Sequence, residues 1–435
     1  MPGFKKCNDA LSLSWNCLFL TGKVIIRLYC FCLSYWASDV FAVYRLLCRF
    51  IFVHDQAEGA SAMKAGERDC LQGSLAQDKA LRHLGFLDAF KGLAAQLIVL
   101  HHLAFYGPMS DYVRPVAPSL IGWLEMHARI AVHAFLVIGG FLAARSLSPD
   151  GIARMPGALH KKVGQRYLKL APPFLVATLF GVGASVWARS WMSHESISAA
   201  PTVMQLLAHA LLLHSILGYE SISAGAWYVA IDFQLYALLA LMVWLCGTAA
   251  GDRPRAWLLP AVVLLSVCAS LFWFNLDASM DIWAPYFFGS YGLGVLAWWA
   301  SQQCGIRRSA PVLVAIVVPA ACALLLDFRS RIALALFIAC MLVWCARSRL
   351  SWRHVLPAVL HWLGRISYSV FLIHFPVCLV VNAAFIRYAP PTAAWQALGM
   401  LTAWAASVLA GAAFFRLVET PLGRLLLRRG SAGVG

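Results

Sequence analysis

Four ionisable residues interrupt an otherwise apolar run, LGFLDAFKGLAAQLIVLHHLAFYG, at residues 84–107. Lys91 and His102 are eleven residues apart, so a helix would bring them to one face, about 16 Å apart along its axis. Asp88 lies one turn before Lys91 and is expected to pair with it, whereas His101 points about 80° away. Ionisable groups are costly in such a run, so each is a functional-site candidate, with His102 as a possible general base. The alternative is a structural ion pair beside a histidine that bonds a neighbouring helix.

The composition indicates an integral membrane protein. Hydrophobic residues make up 61% of the 435 residues and charged residues only 12%, well away from a soluble domain, and the 17 tryptophans favour membrane–water interfaces. The net charge of +16 does not indicate nucleic-acid binding, because no long basic tract with interleaved aromatics is present. The 13 cysteines lie mostly inside apolar runs without metal-ligand spacing, so neither a metal site nor a disulfide framework is predicted.

Long apolar runs recur along the chain, each near the length that a helix needs to cross a bilayer. They lack the two-residue alternation of a membrane barrel, so the predicted fold is an all-α integral membrane bundle of about ten transmembrane helices. The runs fall near residues 84–106, 121–145, 168–190, 227–247, 256–275, 282–301, 310–327, 331–347, 367–388 and 396–418.

Basic residues in the connections predict the orientation. With ten crossings, the basic connections around 145–169, 253–255, 307–308 and 347–353 all fall at one end, which the positive-inside rule makes cytoplasmic. The predicted location is therefore the inner, cytoplasmic membrane, with both termini of the helical core in the cytoplasm. This assignment requires that 203–218 does not cross, and we interpret it as an interfacial or re-entrant helix.

The first eighty residues differ from the rest of the chain. Charges interrupt their apolar stretch, so no clean membrane-spanning run survives, and a signal-peptide cleavage pattern is also absent. The segment 1–80 is either a basic, membrane-associated extension or not part of the native protein, with Met63 as an alternative start. Residues 81–430 are predicted to form the transmembrane domain.

Several segments, taken together with the first apolar run, resemble the membrane acyltransferase 3 family, whose members acylate sugars and other hydroxyl acceptors. The resemblance extends from about residue 84 to 428, and it depends on the number and order of the segments. They read AFLVIGGFLAARSL from 134, QRYLKLAPPF from 165, AGAWYVAIDFQLYALL from 224, LGRISYSVFLIHFPV from 363 and RLVETPLGRLL from 416.

The resemblance assigns roles residue by residue. The family's basic residue, ten intervening residues and histidine fall on Lys91 and His102, with Lys in place of the usual Arg. Its Arg-x-x-Arg signature falls on Arg166 and Lys169, again with Lys in the second place, and its Ser-Gly-Phe is Gly-Gly-Phe at 139–141. These changes keep the sign of the charge but alter its reach and geometry, which is typical of a divergent branch.

The family's acidic residue in the fourth helix falls on Asp232, between Trp227 and Tyr236. Asp232 lies five residues inside its run and His102 lies near the end of its own. We therefore expect the two at similar depth, with the carboxylate orienting the imidazole or stabilising its cation. His374, in the ninth run, is a further candidate for substrate contact, and the alternative is a hydrogen-bonded residue of the bundle.

The sequence thus predicts an integral membrane O-acyltransferase that moves an acyl group, acetyl first, from acyl-CoA to a cell-surface or lipid-linked carbohydrate. Acyl-CoA is a co-substrate, and no bound cofactor, metal or nucleic acid is implied. His102 and Asp232 are the predicted catalytic residues, and the predicted donor or substrate contacts are Asp88, Lys91, Arg166, Lys169, Trp227, Tyr236 and His374. The rival functions are a transporter or glycan exporter and an inactive sensor with the same fold.

Overall fold

A computed structural model describes residues 85–154, 159–250, 255–303, 306–348 and 352–425. The segment 1–80, with Met63, lies outside these residues, as does the end of the predicted 81–430 domain. The described part of the chain is helical and contains no strand, which confirms the all-α prediction.

The helices follow one another with short connections, as expected for a membrane bundle. The long ones are α1 (Gly85–Phe105), α4 (Val132–Leu147), α5 (Leu159–Arg189), α7 (Ala226–Ala250), α8 (Leu258–Phe272), α9 (Ala284–Gln302), α10 (Ile306–Leu326), α11 (Ser330–Arg347), α13 (Ala358–Tyr388) and α14 (Ala393–Phe414). The short ones are α2 (Pro108–Val113), α3 (Pro118–His127), α6 (Val203–Ala210) and α12 (Trp352–Val355). A 3₁₀ turn (Ala128–Ala131) joins α3 to α4, and α14 runs on through a π turn (Phe415–Glu419).

Eight helical segments of the described residues are long and apolar enough to cross a membrane, which confirms a multi-pass protein. They are Pro118–Leu147, Leu159–Arg189, Ala226–Ala250, Leu258–Leu276, Arg308–Leu326, Ser330–Arg347, Ala358–Tyr388 and Ala393–Leu425. Helices α1 and α9 complete the predicted ten, but they are less apolar. Helix α1 carries charged residues and histidines, and α9 is rich in Gly, Tyr and Trp.

Helix α9 can be less apolar because other helices cover it. Nearly every residue from Ala284 to Ser301 is buried, and α9 packs against α4, α7, α8, α10 and α11. Gly140 of α4 and Gly294 of α9 face the backbone of the other helix so closely that a Cβ at either position would overlap it. A helix at the centre of a bundle contacts other helices instead of lipid. Its apolar content is therefore lower than that of the helices around it, although it lies in the core.

The basic connections meet at one end of the bundle, which we call the basic end. There, Trp299 donates from Nε1 to the carbonyl oxygen of Ser148 (2.8 Å), and Arg347 donates from Nη1 to that of Ala300 (3.3 Å). The other end, where α1 stops and α7 begins, is called the opposite end. This grouping agrees with the arrangement predicted from the charges.

The stretch 203–218 folds as the short helix α6 and a following turn, which are too short to cross the bilayer. His209 donates from Nδ1 to the carbonyl oxygen of Gln205 (2.7 Å) and stacks on His214 with ring centroids 4.0 Å apart. Both imidazole rings also stack on Phe174 of α5. The stretch therefore folds back against the bundle, as predicted for a segment that does not cross.

Helices α1 and α13 pack in parallel along the predicted chemical face of α1. A Cβ on Gly364 would overlap the backbone of Asp88, so only glycine lets the two helices approach so closely. Ten residues after Gly364 on α13 and fourteen after Asp88 on α1, this register brings His374 beside His102. The close approach at Gly364 thus positions the first of the two centres described next.

Candidate functional site

The first centre is a pair of histidines that join α1 to α13, and we call it the histidine pair. Nδ1 of His102 lies 2.6 Å from Nε2 of His374, and the two rings are nearly parallel with centroids 4.9 Å apart. His374 is fully buried and His102 is 9% exposed, so a substrate can reach the pair only through His102.

The hydrogen bonds of the pair determine which nitrogen carries each proton. Nδ1 of His374 faces the carbonyl oxygens of Phe371 (2.8 Å) and Val370 (3.2 Å), which can only accept, so this nitrogen must donate. In a neutral His374 ring, Nε2 is then an acceptor, and Nδ1 of His102 donates to it. A neutral His102 therefore keeps its lone pair on Nε2, the nitrogen that can take a proton from a substrate.

His101 lies beside His102 in sequence but faces another helix. Its Nδ1 donates to the carbonyl oxygen of Leu124 in α3 (3.0 Å), and its side chain is buried. This bond is the structural role that the turn angle predicts for His101. It leaves His102 as the histidine of the first helix that can act on a substrate.

The second centre is a set of charged residues nearer the basic end, formed by Lys91, Arg166, Lys169, Asp232 and Glu419, and we call it the charge cluster. Arg166 of α5 donates from Nη2 to Oδ2 of Asp232 in α7 (2.5 Å). The Asp232 side chain is 6% exposed and that of Arg166 is 23% exposed, so the pair is largely hidden from solvent. Removing one partner of such a buried ion pair strongly destabilises the folded protein.

Aromatic residues surround the Arg166–Asp232 pair. The guanidinium carbon of Arg166 lies 5.3 Å from the ring centroid of Tyr236, a cation–π contact. Tyr228, Tyr291 and Tyr368 lie within electrostatic range of both members of the pair. Tyr236 was predicted from its motif. The other three tyrosines are brought together by the packing of α7, α9 and α13, and no spacing in the sequence signals them.

Two unsatisfied groups mark the charge cluster as a site that can accept a ligand. Nε of Arg166 and the hydroxyl of Tyr291 are buried without a hydrogen-bond partner among the described residues. Leaving a buried donor unpaired costs about 1–3 kcal/mol. Such groups are expected where a bound molecule supplies the missing partner.

The remaining charges of the cluster come from α5 itself, from α1 and from the π turn after α14. Lys169 lies within electrostatic range of Arg166, Lys91, Glu419 and Asp232, although its own side chain is exposed. Lys91 also forms the predicted ion pair with Asp88 (2.8 Å). Glu419 accepts a hydrogen bond from the hydroxyl of Ser369 (2.5 Å), which fixes it against α13.

The structure corrects one expectation about the catalytic residues. His102 and Asp232 do not meet, because Asp232 bonds to Arg166 while His102 bonds to His374. Asp232 pairs instead with Arg166 in the charge cluster, whose member Lys91 lies eleven residues, or about 16 Å, before His102 on α1. The depth estimate failed because α7 begins at the opposite end and runs towards the basic end, so Asp232, six residues after Ala226, lies about 9 Å further along the bundle axis.

Trp227 lies outside both centres. Its ring stacks near Phe287 of α9 with centroids 5.6 Å apart, and it packs on Tyr228 at 6.2 Å.

The described residues also contain no group of three or more His, Cys, Asp or Glu side chains placed to hold a metal ion.

The chain is similar in part to one curated protein. It is 25% identical over 172 residues to a protein named "Regulator of hypoxia-inducible factor 1" from Caenorhabditis elegans, which covers 37% of this chain and 34% of the relative. The chain therefore spans about a third of the length of that relative. No solved structure matches the chain.

The family comparison is more extensive. The model of the acyltransferase 3 family, described as an acyltransferase domain, matches residues 84–415. This match begins one residue before α1 and ends at the first residue of the π turn after α14, so it includes every residue of the two centres except Glu419. The chain therefore belongs to the acyltransferase 3 family and is a membrane acyltransferase.

Proposed function

We propose that the protein transfers an acyl group, acetyl first, from acyl-CoA to a hydroxyl of a cell-surface or lipid-linked carbohydrate. The observation that carries this proposal is that Lys91 of the charge cluster and His102 of the histidine pair lie on one helix, eleven residues or about 16 Å apart. Acyl-CoA has the same division, because its phosphates and its thioester lie at opposite ends of a long pantetheine arm. Such a donor can contact both centres at once.

The proposed donor site lies at the basic end, on the cytoplasmic side of the inner membrane. Arg166, Lys169 and Lys91 supply charge for the phosphates, since guanidinium and ammonium groups bind phosphate oxygens strongly. A small cavity lies at Phe371 of α13, one turn before His374. It is lined by residues of α5, α7 and α13 and the loop before α7, including Phe174, Thr178, Ser223, Gly225 and Phe371.

Group transfer would then take place at Nε2 of His102. This nitrogen takes the proton of the acceptor hydroxyl as the oxygen attacks the thioester carbonyl. A carbon–oxygen bond forms, the carbon–sulfur bond breaks, and the CoA thiolate leaves with the proton that His102 returns. The products are the acylated acceptor and CoA, and the histidine ends in its starting state.

His374 is proposed as a positioning residue. It accepts from Nδ1 of His102, while the carbonyl oxygens of Phe371 and Val370 hold its own ring in place. This bond keeps the His102 lone pair on Nε2 and strengthens as His102 becomes cationic during proton transfer. The role resembles that of the carboxylate in a serine protease triad, with a neutral acceptor in its place.

The test uses purified protein in lipid nanodiscs and measures release of CoA from acetyl-CoA. We expect CoA release that requires His102, together with glycan mass spectrometry showing an acyl-sized mass lost from cells that lack the gene. A transporter or an inactive sensor would release no CoA, and the glycans would then change in amount or location but not in acyl content.

A further inference from the structure

Two arginines at the opposite end, Arg129 and Arg331, have no carboxylate partner, and we call them the arginine pair. Two other arginines at that end are paired, since Arg114 contacts Glu125 (2.8 Å) and Arg329 contacts Asp327 (3.5 Å). Among the described residues, no carboxylate lies within ion-pair distance of either member of the arginine pair. Their charge is therefore available to a ligand.

Arg331 is held rigidly in place. It donates from Nη1 to the hydroxyl of Tyr286 (2.7 Å) and from Nη2 to the carbonyl oxygen of Asn275 (2.9 Å). Its guanidinium also lies over the Tyr286 ring, 5.2 Å from the centroid. Nε of Arg331 is buried without a partner, so one strong donor remains unused.

Arg129 is more open. It lies in the 3₁₀ turn between α3 and α4, its side chain is exposed, and it forms no hydrogen bond or ion pair with another described residue. The turn packs against both α1 and α11, the helix that carries Arg331. An exposed, uncommitted guanidinium beside a fixed one can close on an anion between them.

The arginine pair lies at the end of the bundle where α1 stops, three residues after His102. Both arginines are within electrostatic range of His133 and Asp281. Arg129 is also within range of Tyr106, whose ring packs on His102 with centroids 5.3 Å apart. Two cations and one carboxylate therefore meet next to the helix end from which an acceptor would approach His102.

We propose that Arg129 and Arg331 bind a negatively charged group of the acceptor, a phosphate or a carboxylate near the hydroxyl that is acylated. This inference rests on the proposed function, because it assigns the acceptor of the same site. The shared chemistry is an oxyanion that a planar guanidinium can bind through two hydrogen bonds. A lipid-linked glycan would supply a phosphate, and an acidic sugar would supply a carboxylate.

The test measures binding, so that it does not depend on catalysis. Titration calorimetry would compare glucose 1-phosphate, methyl glucuronoside and methyl glucoside on protein in nanodiscs of neutral lipid, with saturating CoA to occupy the donor site. We expect at least one anionic probe to bind about tenfold more tightly than the neutral one, as one charge-assisted hydrogen bond predicts. Arg129→Gln should remove this difference, and Arg331→Lys, which keeps the charge but not the fork, should reduce it.

The matched control is Arg387→Gln, which removes another exposed arginine at the opposite end, on the last turn of α13. It should leave the preference unchanged. Preference for glucose 1-phosphate alone would identify a phosphate source, and preference for the glucuronoside alone an acidic sugar. Equal binding of all three probes, or an unchanged preference in Arg129→Gln, would overturn the proposal. Loss of CoA release with the preference intact would instead count against the proposed function.

Discussion

The two centres of the bundle are built in different ways. The histidine pair is small and buried. Backbone carbonyl oxygens fix the ring proton of His374, and a hydrogen bond to His374 fixes that of His102. The charge cluster contains five charged residues from four helical segments and keeps one unsatisfied donor, Nε of Arg166. A proton acceptor needs one defined lone pair, whereas a binding site for phosphates needs several cations. These two requirements explain why the histidine pair and the charge cluster are built differently.

The comparison also separates the expected effects of substitutions. Changes in the histidine pair should lower kcat with little effect on donor binding, because the proton moves only in the transition state. Changes in the charge cluster should act on donor affinity or on stability. The predictions below follow this division.

The largest effect is expected for His102→Ala. Loss of a general base should lower kcat by about 10²–10⁴-fold while the protein still folds. Steady-state CoA release by purified protein measures it. His101→Ala is the control, because that side chain bonds only to the carbonyl oxygen of Leu124 and should lower kcat far less. Equal losses in the two variants would indicate a packing defect in α1 and not the loss of a base.

Asp232→Asn should chiefly reduce stability. It leaves Arg166 buried beside an uncharged partner, and breaking a buried pair costs about 3–5 kcal/mol. Thermal unfolding in nanodiscs should shift clearly, while kcat of the folded protein should fall much less than in His102→Ala. Asp232→Glu keeps the charge and should lose less stability. A loss of kcat equal to that of His102→Ala, with normal stability, would place Asp232 with the base after all.

In the protein that folds, Arg166→Ala should raise the KM for acyl-CoA about tenfold, because it removes a charge-assisted phosphate contact that is made alike in the ground state and the transition state. It also leaves the buried Asp232 without its partner, so thermal unfolding should shift as it does in Asp232→Asn. The KM for the acceptor should change less, and initial-rate measurements with each substrate varied separately would show it. Lys169→Arg keeps the charge and should be tolerated. Unchanged donor kinetics in Arg166→Ala would contradict the donor site at the basic end.

The smallest effect is expected from the N-terminus. Deletion of residues 1–62 should leave activity within about twofold, since this segment lacks the regular pattern of the core and the family match begins only at residue 84. Comparison of CoA release by full-length and truncated protein is the measurement. Loss of folding in the truncated protein would show that the segment is an integral part of the molecule.

The sequence was sufficient for the fold class and for most members of the two centres. Spacing within one helix is fixed by geometry, so the Asp88–Lys91 pair and the different face of His101 followed from residue numbers. Contacts between helices depend on relative depth, which the sequence does not contain. His374 was therefore predicted as a substrate contact and not as the partner of His102, and Asp232 was assigned to the wrong centre.

The most direct test of the account is a double-mutant cycle on the histidine pair, with kcat for acyl transfer measured for His102→Ala, His374→Leu and the double variant. If His374 acts only by holding the His102 lone pair on Nε2, then His374→Leu should lower kcat when His102 is present. It should change kcat very little in the His102→Ala background. The double variant should then be about as slow as His102→Ala alone. Losses that multiply, or full activity in a folded His102→Ala protein, would contradict the role of this pair in proton transfer.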